Sequence, residues 1–155
     1  MTVQEFQARK TERIAIAVAH YVATTPADKL DWCPATGEES CTRSVLDMAS
    51  ECVACNRMIC GLLGCGEECD ESVKITDAEA AKSELMKSAN EVAAAIRALP
   101  DEALTRKYTM TMMTVTGEIL IDLAYRNMTY HGGQINYIQL LLGDREFHMA
   151  PASFK

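Results

Sequence analysis

The sequence predicts an all-α protein: a four-helix bundle with long connections between helices 1 and 2 and between helices 3 and 4, forming one domain over residues 1–155. Three observations carry this expectation. Four segments of about twenty residues show helical apolar periodicity, most of them opened or closed by a capping signal. The intervening stretches lack any such period. A chain of 155 residues with 48% hydrophobic content can close one core but not two.

The first helix is expected over about 2–24. Thr2-Val3-Gln4-Glu5 reads as a capping box, Ile14, Val18, Tyr21 and Val22 share one apolar face, and Thr25-Pro26 ends the run. From Ala27 to Cys41 the chain carries Pro34 and Gly37 and no helical period, so a packed loop is expected there, anchored by Trp32. The second helix, about 42–63, begins near Thr42 or Ser44 and is closed by Gly64 and Gly66. Thr76-Asp77-Ala78-Glu79 is another capping-box pattern, opening a third helix over about 77–98. Its stripe is Ala78, Ala81, Leu85, Ala89, Val92, Ile96 and Leu99, with Pro100 just beyond. Residues 101–115 are rich in Thr and Met, with Tyr108 to Met112 extended in character, and read as an irregular crossover. Thr116 then caps a fourth helix, about 116–143, with Gly143 at its end and a coil tail to Lys155.

Composition narrows the function classes. A formal charge of -7 and no basic stripe exclude a nucleic-acid reader, which must offer clustered Lys and Arg to phosphates. No run approaches about eighteen apolar residues, and Met1 to Gln7 lacks a basic segment leading into an apolar one, so a cytoplasmic protein with no membrane partner is expected. Seven cysteines are an odd number for a disulfide framework. Cys52, Cys55, Cys60, Cys65 and Cys69 crowd the second helix and the turn after it. Cys52 and Cys55 fall on a helix rather than a tight turn, and no second pair of matching spacing follows. Small buried thiols are therefore expected in preference to a zinc or iron–sulfur site or a regulatory disulfide.

The informative residue is His131. At about 100° per residue, its neighbours on the fourth helix are Leu120, Ala124, Asn127, Ile135, Ile138 and Leu142, an almost wholly apolar arc. A buried imidazole needs partners for both nitrogens, and a metal ion is one of the few that justify it. On the second helix, Glu51 shares an arc with Ser44, Asp47, Cys55, Met58 and Leu62 and is expected to point at the core. A buried carboxylate must be neutralised, paired or metal-bound. Glu51, His131 and, one turn before it, Asn127 are donor types that suit zinc, nickel, iron or manganese. The same three groups also satisfy a metal-free cluster in which Glu51 accepts hydrogen bonds from His131 and Asn127. Gln134 is placed to orient His131, and Cys55 to line either version. His20 is expected toward solvent, His148 in the tail, and Asp47 and Asp122 as surface or cap charges.

In order along the chain stand Leu30-Asp31-Trp32-Cys33-Pro34 before the second helix, Ser44 opening it, His131-Gly132-Gly133-Gln134-Ile135 in the last helix and Leu140-Leu141-Leu142-Gly143 closing it. Over nearly its whole length the sequence resembles the DinB-like (DinB/YfiT) superfamily of metal-dependent bundle proteins. The resemblance implies a three-histidine divalent-metal site whose positions correspond here to Glu51, Asn127 and His131, so one histidine of the three is present. It further implies relatives acting as metal-dependent thiol transferases, isomerases or hydrolases, and homodimers built from helix faces. Two readings follow: a thiol transferase or hydrolase using zinc, nickel or manganese, and a non-catalytic bundle that binds no metal and serves as a dimeric or small-ligand-binding module.

Overall fold

In the computed structural model, residues 1–35, 42–64, 73 and 75–154 are described. Four helices dominate them: α1 Val3–Thr24, α2 Val45–Leu62, α3 Ala78–Ala98 and α4 Gly117–Leu141. Cys41, Cys65, Gly66 and Cys69 lie outside the described residues.

The helix ends follow the capping chemistry with three departures. Thr2 accepts from the Glu5 amide at 3.1 Å, but the Glu5 carboxylate turns away to Arg97, so only half of that capping box is made. Helix α2 carries the complete box: the Ser44 hydroxyl accepts from the Asp47 amide and the Asp47 carboxylate from the Ser44 amide, both at 3.1 Å. At α3 the cap is Asp77 rather than Thr76, because the Asp77 carboxylate reaches the Ala80 amide at 2.8 Å. Thr116 occupies the N-cap position of α4, yet its hydroxyl donates to Glu118 instead of accepting from the backbone. Gly64 and Gly143, at φ of 79° and 92°, close α2 and α4 in the left-handed conformation that glycine adopts without steric cost.

The crossover 101–115 is more ordered than its composition suggests. A 3-10 turn at Asp101–Leu104 leads into an antiparallel hairpin of β1 Lys107–Thr109 and β2 Thr114–Thr116, with Tyr108 opposite Val115. Val115 is buried while its neighbours face outward, so period-two patterning is present but too short to stand out. The tail is not plain coil: Pro151–Phe154 forms a 3-10 turn against α1, and Ala150 is buried.

In the bundle, α1 packs on α3 and α4, and α2 packs on the same two, so α1 and α2 sit diagonally. Val18, Val22, Val53, Ile59, Leu85, Ile96, Leu120, Ile135 and Ile138 fill the core, each fully buried aliphatic contributing about 1.5–3 kcal/mol before entropy is counted. Trp32 packs on the core edge and its amide donates to Lys29. Several buried glutamines tie the helices together: Gln4 to the Leu99 carbonyl and Asp101, Gln7 to Asp122, and Gln139 to the Tyr21 carbonyl and the hydroxyls of Thr24 and Thr25. Among the described residues no helix is long and apolar enough to cross a membrane.

Candidate functional site

The diagonal arrangement leaves α2 and α4 side by side, and a cleft of about 600 Å³ opens between them near the end of the first connection. Its wall includes Arg43, Glu51, Asn127, Tyr130, His131, Gln134 and Tyr137. Thus the three residues singled out from sequence do line one cavity, although they come from two helices far apart in the chain.

His131 is 4% exposed, as its apolar arc requires. Its Nδ1 lies 2.7 Å from Gln134 Oε1. A carboxamide oxygen only accepts, so the ring proton sits on Nδ1 and the lone pair on Nε2. That Nε2 faces Glu51 Oε1 at 3.3 Å. Burial pushes His131 below its ordinary pKa; the Gln134 contact opposes the shift and the Arg43 charge reinforces it. Burial thus opposes protonation of the ring while the Glu51 carboxylate favours it, and because Nδ1 is engaged by Gln134, Nε2 is the atom whose protonation decides whether the His131–Glu51 approach is an ion pair or a lone pair facing a carboxylate.

Glu51 is not a core residue. Its side chain is 36% exposed, because the buried stripe of α2 runs through Met48, Cys52, Asn56 and Ile59, about one residue further round the helix than the arc expected from sequence. At this rim its Oε2 is ion-paired with the Arg43 guanidinium. Asn127 Oδ1 is buried and has no hydrogen-bond partner among the described residues. Cys55 departs from expectation too: it lines a neighbouring groove rather than this cleft.

The donor set suits a divalent cation in part. Three lone-pair donors line the cleft, and the 3.3 Å between His131 Nε2 and Glu51 Oε1 falls in the range of about 3.0–3.4 Å for two ligands sharing an ion at ordinary bond lengths. The Gln134 contact is the outer partner that metal-bound histidines use to fix their tautomer. Against this, Asn127 is a neutral, weak donor, and Arg43 already supplies a positive charge to Glu51. Among the described residues no group of three or more His, Cys, Asp or Glu is placed to hold a metal.

The remaining candidates fall away from chemistry. Cys33, Cys52 and Cys55 are free thiols; burial drives Cys52 far up and pushes Cys55 up to about 11, so neither offers a thiolate near neutrality. His20 is half-buried beside the C-terminal turn, His148 is held by Asp144 at 2.6 Å, Asp47 serves the α2 cap, and Asp122 binds Gln7 and Lys10. Arg43, Tyr130 and Tyr137 were not visible as site residues in the sequence. Arg43 precedes the helix and has no periodic phase, and the tyrosines occupy the solvent side of α4.

A solved structure gives the architecture its place. A DinB-like protein of Bacillus subtilis, YjoA, superimposes with a TM-score of 0.66 over 97% of this chain and 99% of its own, at 16% identity. The fold is DinB-like. No family model matches the sequence, and no curated protein matches it. At this identity the likeness establishes the DinB-like four-helix architecture, the one implied by the motifs around Trp32, Ser44 and His131.

Proposed function

We propose that the α2–α4 cleft is a divalent-metal site held by Glu51, Asn127 and His131, serving a metal-dependent thiol transferase or hydrolase. One observation carries the reading: Gln134 engages His131 at Nδ1, so Nε2 is turned to Glu51 Oε1 at 3.3 Å, a spacing that two ligands of one cation take. A proton or a metal cation between the two atoms would complete the contact, and Asn127 Oδ1, buried without a partner among the described residues, offers the metal a third donor. When bound, zinc, nickel or manganese would lower the pKa of a coordinated thiol or water and so supply the nucleophile. The protein's own groups do the rest. Gln134 holds His131 oriented, Arg43 attracts an anionic substrate to the mouth, and Tyr130 and Tyr137 flank the opening.

A second reading rests on Arg43. Its guanidinium pairs with Glu51 where a metal charge would otherwise act, which favours a metal-free bundle that binds a small ligand. We also propose that the bundle is a homodimer, on the exposed Tyr137, Leu140 and Leu141 of α4, a state that light scattering would read directly. Metal analysis separates the two readings of the cleft. Protein purified without a histidine tag, incubated with zinc, nickel and manganese and dialysed, is expected to retain close to one equivalent. Less than about a tenth of an equivalent overturns the metal reading and leaves the ligand-binding one.

A further inference from the structure

Beside the polar cleft lies a second cavity of about 940 Å³, between the middle of α2, the first half of α4 and the tip of the hairpin. Met58, Met110, Met112, Met113, Ile119 and Leu123 give it an apolar wall. Met112 and Met113 are 91% and 56% exposed and Ile119 42%, so these side chains stand open instead of filling the core. Asn127 and Tyr130 line both cavities. The polar cleft and the methionine groove therefore share a wall on α4.

We infer that this protein takes an amphiphilic small molecule, with an anionic, lone-pair-donating head group in the cleft and an unbranched apolar chain in the methionine groove. The head assignment rests on the functional reading above, in which the cleft offers an anion a metal or, in its absence, the guanidinium donors of Arg43, which the ligand would share with Glu51. The chain assignment rests only on the groove. Each half has its own chemistry. The groove size falls within the range of small-molecule sites, about 300–1,000 Å³. Methionine is unbranched and polarisable, so four of them adapt to a flexible chain better than a rigid aromatic wall would. An anionic head also runs against the formal charge of -7 on the whole protein, so a preference for it can only come from a local cation, a metal or Arg43 in the cleft or Arg126, which lines the groove and lies 3.9 Å from Asp122.

The test uses full-length protein and calorimetric titration with butyrate, octanoate, decanoate and decyltrimethylammonium, with and without zinc. Affinity is expected to rise about two- to fourfold per methylene along the carboxylate series. Decanoate is expected to bind at least tenfold tighter than decyltrimethylammonium, which has the opposite head and an alkyl chain one methylene longer. Met112→Gln and Ile119→Gln, both at exposed positions that leave the fold intact, are expected to flatten the chain-length dependence. Glu51→Gln with His131→Ala is expected to abolish any zinc-dependent gain while leaving that dependence in place. No chain-length dependence, or one that survives Met112→Gln and Ile119→Gln together, overturns the groove as the chain site. Equal or tighter binding of the cationic amphiphile overturns the head-group placement. A chain-length series that holds while zinc never binds sustains this inference in its Arg43 form and refutes the metal reading alone.

Discussion

Three glycines of α4 offer a matched perturbation whose signs differ for reasons visible in the packing. A Cβ at Gly117 would stand 2.1 Å from the Ala103 carbonyl oxygen and 3.0 Å from both the Ala103 carbonyl carbon and Leu104 Cα, all backbone atoms of the preceding 3-10 turn. Backbone cannot rotate away as a side chain can, so Gly117→Ala must displace the turn or the start of α4. We expect a loss at or above the upper end of the roughly 1–3 kcal/mol seen for overpacking. At Gly132 the nearest atoms are Val18 Cγ2 at 3.3 Å and Tyr21 ring carbons at 3.6 and 3.7 Å. These are side-chain atoms on α1 that yield by tenths of an ångström, so helix propensity and crowding nearly cancel. At Gly133 a Cβ meets nothing within 4 Å. Gly133→Ala should gain about 0.8–1 kcal/mol of helix propensity, raising Tm by about 2–4 °C for a chain of this size. Urea titrations followed by far-ultraviolet circular dichroism measure all three. A Gly117→Ala protein as stable as the parent, or a destabilising Gly133→Ala, would refute the placement of α4 against the crossover and its solvent face.

Other expectations follow from single contacts. Gln134→Leu removes the acceptor on His131 Nδ1 and should weaken zinc affinity about 10- to 100-fold with little change in Tm; undiminished binding in a competition titration with a chelating dye would show that the amide plays no part. Arg97 bridges Glu5 and Glu12 across α1 and α3, and Arg97→Ala should cost about 0.5–1 kcal/mol at pH 7, since the groups are partly exposed. The Arg97 hydrogen bond holds Glu12 below the usual carboxylate range. Its stabilisation is thus present above the ordinary Glu value and lost as pH falls through the depressed one, and the Tm difference between parent and variant should shrink toward pH 3. With its pKa pushed up to about 11, Cys55 should be alkylated by iodoacetamide only slowly at pH 8, where roughly 0.1% is thiolate. Peptide mapping that finds Cys55 modified as fast as a free thiol would contradict its packing.

Much of the architecture was legible because it rests on local signals: the periodicity of Ala81, Leu85, Ala89, Val92 and Ile96, the Thr2 cap, and the glycines at 64 and 143. The hairpin was missed because three-residue strands carry too few alternations to outweigh the Met and Thr composition around them. Of the site, His131 was found because an isolated imidazole among aliphatic neighbours is conspicuous at helical spacing. The position of Glu51 was wrong by about one helical residue, enough to move it from core to rim, since Cys, Ala and Ser on α2 blur its apolar face. Asn56 illustrates the converse. It is fully buried and donates to Ser88, yet its pairing spans α2 and α3, which no single-helix pattern reveals.

The central claim concerns the electron pair on His131 Nε2, and nitrogen NMR of the imidazoles reads it directly; with three histidines in the chain, assignment by single substitution is straightforward. His131 is expected to be a fixed Nδ1–H tautomer at pH 7, and one equivalent of zinc is expected to shift its Nε2 resonance while leaving His20 and His148 unmoved. An Nε2–H tautomer, or an Nε2 resonance indifferent to zinc, would contradict it.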